Sequence, residues 1–117
     1  MATGEEIAQS LQAFCESYNS NERVKQMNRD WHRIVLIQPE DLTEAFTLSL
    51  VGEELSYRSG TADDPDLKVV APSDVLADMF WGDLSPTGPY MDGTLKAFGS
   101  EEDLVRLDII ILLIWGG

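Results

Sequence analysis

Few residues in this chain could act on a substrate. His32 is the only histidine, so no histidine pair can grip a metal ion, and no serine or cysteine nucleophile signature lies near it. A structural or surface role is expected for it. Asp63, Asp64 and Asp66 look like the start of a calcium loop, but the alternating oxygen ligands and the distant closing glutamate are lacking, so they read as solvated loop carboxylates. Gly82, Gly88, Gly93 and Gly99 have the spacing of neither a phosphate-binding loop nor a dinucleotide fingerprint. Cys15 is the only cysteine, which excludes an intrachain disulfide and a cysteine-based zinc site, and it reads as a small buried apolar residue. Without a convergent acid, base and nucleophile, the chain is expected not to be an enzyme and to use no cofactor or metal.

What the sequence offers instead is a surplus of large, flexible apolar side chains in elements that would face one another. Phe46, Leu48 and Leu50 alternate along one segment, Met79, Phe80 and Trp81 end another, and Met91 follows a turn. Leu104, Leu107, Ile110, Ile111 and Ile114 recur through the last stretch. Methionine adapts to irregular apolar shapes, and these twelve residues are the candidate ligand-binding set.

The elements that would position them follow from periodicity. Ile7, Leu11, Phe14, Cys15 and Tyr18 mark a helix over residues 5–18 that ends at Asn19-Ser20-Asn21, and Val24 and Met27 suggest one more helical turn. Residues 31–37 form a β-branched apolar run closed by Pro39, and residues 44–51 alternate as a second strand. Gly52-Glu53-Glu54 is a tight connection to a third strand at Leu55 and Tyr57, antiparallel to the second. Residues 59–65 read as a loop and residues 67–71 as a fourth strand. Ser73 is the expected N-cap of a helix with a Val75, Leu76, Met79 and Phe80 stripe, ended by Gly82. Residues 83–89, with two prolines and a glycine, are expected to be irregular and to form the rim of an opening. Residues 95–98 are the fifth strand, after which Ser100 and Asp103 are placed as in a capping box. The last helix spans about 22 Å, too short for a membrane, although residues 109–115 carry no polar side chain.

With 117 residues, 44% of them apolar, the chain can form one domain over residues 1–117 with a core of its own. Its 21 acids against 8 bases give a net charge of −13, which repels polyanions and excludes nucleic acid as a partner. Arg23, Lys25, Arg29 and Arg33 fall close together; they form a local positive patch or, as favoured here, pair with the acidic remainder. The opening MATGEEIAQS lacks the features of a secretory signal and the ending Trp115-Gly116-Gly117 is not a Ser-Lys-Leu address, so a cytoplasmic location is expected.

Residues 73–107 combine a short helix, a Gly-x-Leu-x-Pro-like turn (Gly82, Leu84, Pro86), a Tyr-Met-x-Gly segment (Tyr90, Met91, Gly93), a Leu-Lys strand (Leu95, Lys96) and Gly99-Ser100 before the last helix. In this the chain resembles the sterol carrier protein 2 family, and the likeness extends upstream to about Trp31. The resemblance implies an α/β (α+β) sandwich in which a five-stranded, mainly antiparallel sheet is covered on one face by helices. It also implies a non-enzymatic carrier of a fatty acid, sterol or similar lipid, with a cavity between sheet and helices. Two departures stand out. Phe98 replaces a residue that is often polar in relatives and points to the other face of the sheet, and the acidity argues against multiply anionic acyl-coenzyme A. The alternative reading is an interaction or dimerisation module, or an accessory domain of a lipid-related enzyme. Because residues 109–115 exceed what one helix face can bury, a homodimer through Ile109, Leu112 and Trp115 is expected, and transient membrane contact is compatible with it.

Overall fold

A computed structural model describes residues 2–116; Met1 and Gly117, and with them part of the two terminal readings above, lie outside the described residues. Thr3 opens helix α1 (Gly4–Asn19), its hydroxyl accepting from the Glu6 N–H while Glu6 accepts from the Thr3 N–H, which satisfies two donors that a helix start leaves unpaired. The Asn21 side chain caps the short α2 (Glu22–Met27) by accepting from the Val24 N–H.

Five strands follow the expected order: β1 (Arg33–Pro39), β2 (Phe46–Val51), β3 (Glu54–Ser59), β4 (Leu67–Ala71) and β5 (Lys96–Gly99). They form one sheet in the order β3-β2-β1-β4-β5, antiparallel at every pairing except the parallel β1–β4 contact. Gly52 and Glu53 both take positive φ in the β2–β3 turn, at 62° and 80°, as a tight hairpin requires. Alternation sets the two faces of the sheet. Val35, Ile37, Leu48, Leu50, Leu55, Leu67 and Val69 point into the core with the apolar faces of the helices, while Lys68, Lys96 and Phe98 lie on the opposite face. The Lys68 ammonium sits 5.9 Å from the exposed Phe98 ring.

Four local expectations are corrected. Trp31 and His32 precede β1 rather than belonging to it; the Trp31 N–H closes a turn onto the Asn28 carbonyl at 2.9 Å. Helix α3 (Ser73–Phe80) is preceded by Pro72, and Ser73 is its first helical residue, donating to Asp41 through both its backbone N–H and its hydroxyl. Part of residues 83–89 is helical: α4 (Thr87–Asp92) holds Pro89 in its first turn, where a missing N–H removes no helix bond, and Gly93 ends it at φ 88°. In α5 (Glu101–Trp115) Ser100 caps the Glu102 N–H. The Asp103 side chain, expected to complete that cap, is drawn instead across to Arg33 and Trp31.

Candidate functional site

The apolar faces of α1, the β1–β2–β3 half of the sheet and α5 converge on one small void. Phe14 and Tyr18 wall it from α1, Leu48 and Leu50 from β2, and Leu107 and Ile110 from α5, with Val35 and Leu55 between them. Trp31 and Arg33 stand among the lining residues. The void measures about 10 Å³, which is the space of a single water molecule. The cavity implied by the resemblance would be on the order of several hundred Å³, so these walls are closed on one another.

A polar network gathers around Trp31. Asp103, buried at the start of α5, accepts from the Trp31 indole N–H at 3.0 Å and from Arg33 Nε at 3.1 Å. Two guanidinium groups approach the Trp31 ring, 5.8 Å from its centroid for Arg33 and 5.7 Å for Arg106. Arg106 in turn donates to Asn28, the residue that ends α2, whose own amide donates to the Val24 carbonyl within that helix. A buried carboxylate is tolerated because two charge-assisted bonds replace its water. The sites that the network joins are seventy residues apart in the chain, which ties the first turn of α5 to the start of β1.

Tyr18 is completely buried, and its hydroxyl makes no hydrogen bond with any described residue. Leaving such a donor unpaired typically costs about 1–3 kcal/mol. Burial pushes its pKa up, the Glu53 carboxylate adds to this and Arg106 opposes it, so the phenol stays protonated at neutral pH. Its backbone is fixed by the neighbouring Asn19, which donates to the Leu55 carbonyl at 2.8 Å and accepts from the Leu55 N–H at 2.9 Å. That side chain acts as a short extra strand along β3.

Of the twelve candidate ligand residues, the structure brings Leu48, Leu50, Leu107 and Ile110 to the void. Phe46, Met79, Phe80, Leu104 and Ile111 are buried elsewhere in the same core; Phe80, for example, meets Phe14 edge-on at 5.3 Å. Ile114 is partly buried against that core, whereas Trp81 and Met91 are exposed, Met91 at 79%. Phe14, Tyr18 and Leu55 were legible as packing residues but not as lining ones, because nothing in a single sequence says that α1 crosses β2 and β3.

Outside the core, two shallow grooves flank α5. One, of about 120 Å³, runs between Tyr90 and Met91 of α4 and Leu104 and Val105 of α5; the other, of about 190 Å³, lies between Leu84 and Leu112. Asp108 stands in both, accepting from the Ser85 and Thr87 hydroxyls at 3.1 and 2.6 Å. The outward stripe of α5 is Val105, Ile109 and Leu112, the last 65% exposed. Trp115, expected on that side, is turned inward: its indole N–H donates to the Phe80 carbonyl at 2.8 Å, which satisfies the one polar atom of the ring.

The remaining candidates do no chemistry together. His32 is exposed and accepts from the Gly52 N–H at 3.3 Å. Asp66 accepts from the Ile34 N–H at 2.8 Å, and among the described residues no group of three His, Cys, Asp or Glu is placed to hold a metal ion. Burial, aided by Glu16, pushes the Cys15 thiol up to about 12, so it is not a nucleophile at neutral pH. Among the described residues no helix is long and apolar enough to cross a membrane.

The model of the SCP-2 sterol transfer family matches residues 7–107. No curated protein sequence matches the chain. Among solved structures, a UbiJ-SCP2 ubiquinone synthesis protein aligns with a TM-score of 0.76 at 14% identity, covering 92% of this chain and 94% of that one. A crystal structure of sterol carrier protein 2 gives 0.68 at 15% identity, with the same coverages of 92% and 94%. The sec-alkylsulfatase Pisa1 from Pseudomonas sp. gives 0.64 at 20% identity over 74% of this chain, and there the chain spans only 14% of the enzyme's length. At these identities the likeness is one of fold.

Proposed function

The chain belongs to the SCP-2 sterol transfer family, and from that premise we propose that it binds and carries an apolar lipid, a fatty acid or sterol, between the sheet and helices α1 and α5. The observation that carries this reading is the small void walled by Phe14, Tyr18, Leu48, Leu50, Leu107 and Ile110, where apolar side chains of α1, β2 and α5 converge. Burial of an acyl chain there gains about 0.8 kcal/mol per methylene, with no bond made or broken. Because about 10 Å³ admits no lipid, loading requires the walls to part; in this reading α5 is the wall that moves, and the polar ties of Asp103, Arg106, Asp108 and Trp115 are what it must release. A cytoplasmic, non-enzymatic carrier is the form of the proposal. The test is a titration of delipidated protein with a fluorescent fatty acid and a fluorescent sterol. Saturable binding at micromolar concentration or below, with reduced amide exchange in α5, is expected; absence of binding by both probes overturns it.

A second reading rests on the exposed Val105, Ile109 and Leu112 stripe. A second copy of the chain would cover it, as contiguous exposed apolar surface commonly marks a contact. Light scattering of Leu112→Glu beside the unmodified protein decides this: a dimer that becomes a folded monomer supports it, and an unmodified protein that is monomeric at high micromolar concentration overturns it.

A further inference from the structure

Along one flank of α5 the two grooves form a broken seam. The half between Tyr90, Met91, Leu104 and Val105 measures about 120 Å³, and the half that runs from Leu84 and Leu112 to Trp115 about 190 Å³. Asp108 belongs to both halves. Each falls short of the roughly 300 Å³ at which small-molecule sites begin, and suits one inserted side chain. Among the described residues eight large apolar side chains are exposed, and four of them, Trp81, Met91, Val105 and Leu112, border this seam. Methionine at such a place adapts to the shape of what it meets.

Charge sets the seam apart from the rest of the surface. Arg23, Lys25 and Arg29 gather on and after α2, while Arg58, Lys68 and Lys96 lie on strands. Between Lys68 and Lys96 the chain has no base at all, and Arg106 of α5 is drawn away to Asn28 and the Trp31 ring. The charged residues that line the seam and its mouth are Glu101, Glu102 and Asp108, all acidic. Asp108 already accepts from Ser85 and Thr87, but a carboxylate has about four acceptor positions, so it can take a further donor. We propose that this seam docks a cationic amphipathic helix of a partner protein. Val105, Asp108 and Leu112 follow one another at i, i+3 and i+7, over about 10 Å of helix. A partner helix with apolar residues seven apart and a lysine or arginine between them matches that row in spacing and in sign. A second copy offers a surface of the same sign, and a lipid surface offers no spacing to match. The proposal goes beyond both readings above, since it needs no opening of the core and gives the seam to a different protein.

The experiment follows the fluorescence anisotropy of a labelled peptide of about 15 residues, long enough to form a helix on contact. It carries leucines seven apart, lysines between them and glutamines elsewhere, and a second peptide replaces each lysine with glutamate. The lysine peptide should bind the intact protein saturably at micromolar concentration, more weakly as sodium chloride is added, and the glutamate peptide should not bind. Asp108→Asn should weaken binding about twofold to fivefold at low salt, the worth of an exposed ion pair, with the difference fading at high salt. Val105→Ser should weaken it about fivefold at either salt. Glu54→Gln, which removes an exposed carboxylate of β3, should leave binding unchanged. Equal losses for Glu54→Gln and Asp108→Asn would mean unspecific attraction to an acidic protein and overturn the seam, as would failure of the lysine peptide to bind. Peptide affinity that falls as the protein associates with itself gives the seam to a second copy. Attachment to phosphatidylcholine vesicles that Val105→Ser weakens, without binding of the peptide, gives it to a lipid surface; either result overturns the proposal.

Discussion

Each end of α5 is closed by a tryptophan, and the two closures work on different principles. At the N-terminal end Trp31 is held by charge: its indole N–H meets Asp103 and the guanidinium groups of Arg33 and Arg106 both approach its ring. At the C-terminal end Trp115 is held by shape. It rests against Trp81 with centroids 6.2 Å apart, donates to the Phe80 carbonyl, and occupies the space that a side chain on residue 82 would need. A charged closure can be weakened by salt or by a competing ion, while a steric one responds to volume and hardly to ionic strength. The two ends of the last helix should therefore answer to different conditions.

The largest effect is expected where shape rules. Gly82 has φ 81° and a Cβ there would run into the Trp115 ring, so Gly82→Ala combines backbone strain with overpacking and should destabilise the protein by about 2–4 kcal/mol. Urea unfolding measures this, and the loss should be the same at low and high salt. Next comes Asp103→Asn, which leaves Arg33 without its counterion and should cost about 1–3 kcal/mol; the part-exposed Arg33 keeps the figure below that of a fully buried pair. Here the loss should shrink as sodium chloride is added. If both substitutions showed the same salt response, the contrast between the ends would be lost.

Trp115→Phe should cost about 1 kcal/mol, since it leaves the Phe80 carbonyl unpaired while keeping most of the packing, and thermal unfolding would register it. The smallest effect belongs to a site at neither end. The Ser73 hydroxyl bonded to Asp41 holds that carboxyl below its ordinary value of 3.8. A carboxyl whose pKa is lower in the folded state contributes stability that is complete above 3.8 and disappears as pH falls through the folded value. Asp41→Asn should therefore flatten the acid side of a stability profile slightly, without changing the salt response of either tryptophan.

The sheet was readable because its evidence is local. Alternation of Phe46, Leu48 and Leu50 set the inward face of β2, and Gly52-Glu53 announced the hairpin. Phe98 could be assigned to the outer face by the same rule. Helix α4 was hidden because Pro86 and Pro89 signal irregular chain, although proline is compatible with a first helical turn. The network at Trp31 was not readable at all. Asp103 stands where a capping partner would, and only the packing of α5 against the start of β1 reveals that it serves Arg33 instead. The void was half readable: Leu48, Leu50, Leu107 and Ile110 were named, but Tyr18 gave the same helical periodicity that any packed aromatic residue gives. Its place in the wall depends on how α1 packs on the sheet, which a single sequence does not record.

The single cysteine has a consequence of another kind. Cys15 lies on the buried face of α1 with its thiol pushed up to about 12, so in the closed protein almost none of it is thiolate and little of it is open to alkylating reagents. Any event that lifts the helices from the sheet exposes it and restores ordinary acidity at once. The chain therefore carries its own clock for opening: the alkylation rate of Cys15 counts how often the core is breached, and a lipid that holds the walls in place should slow it.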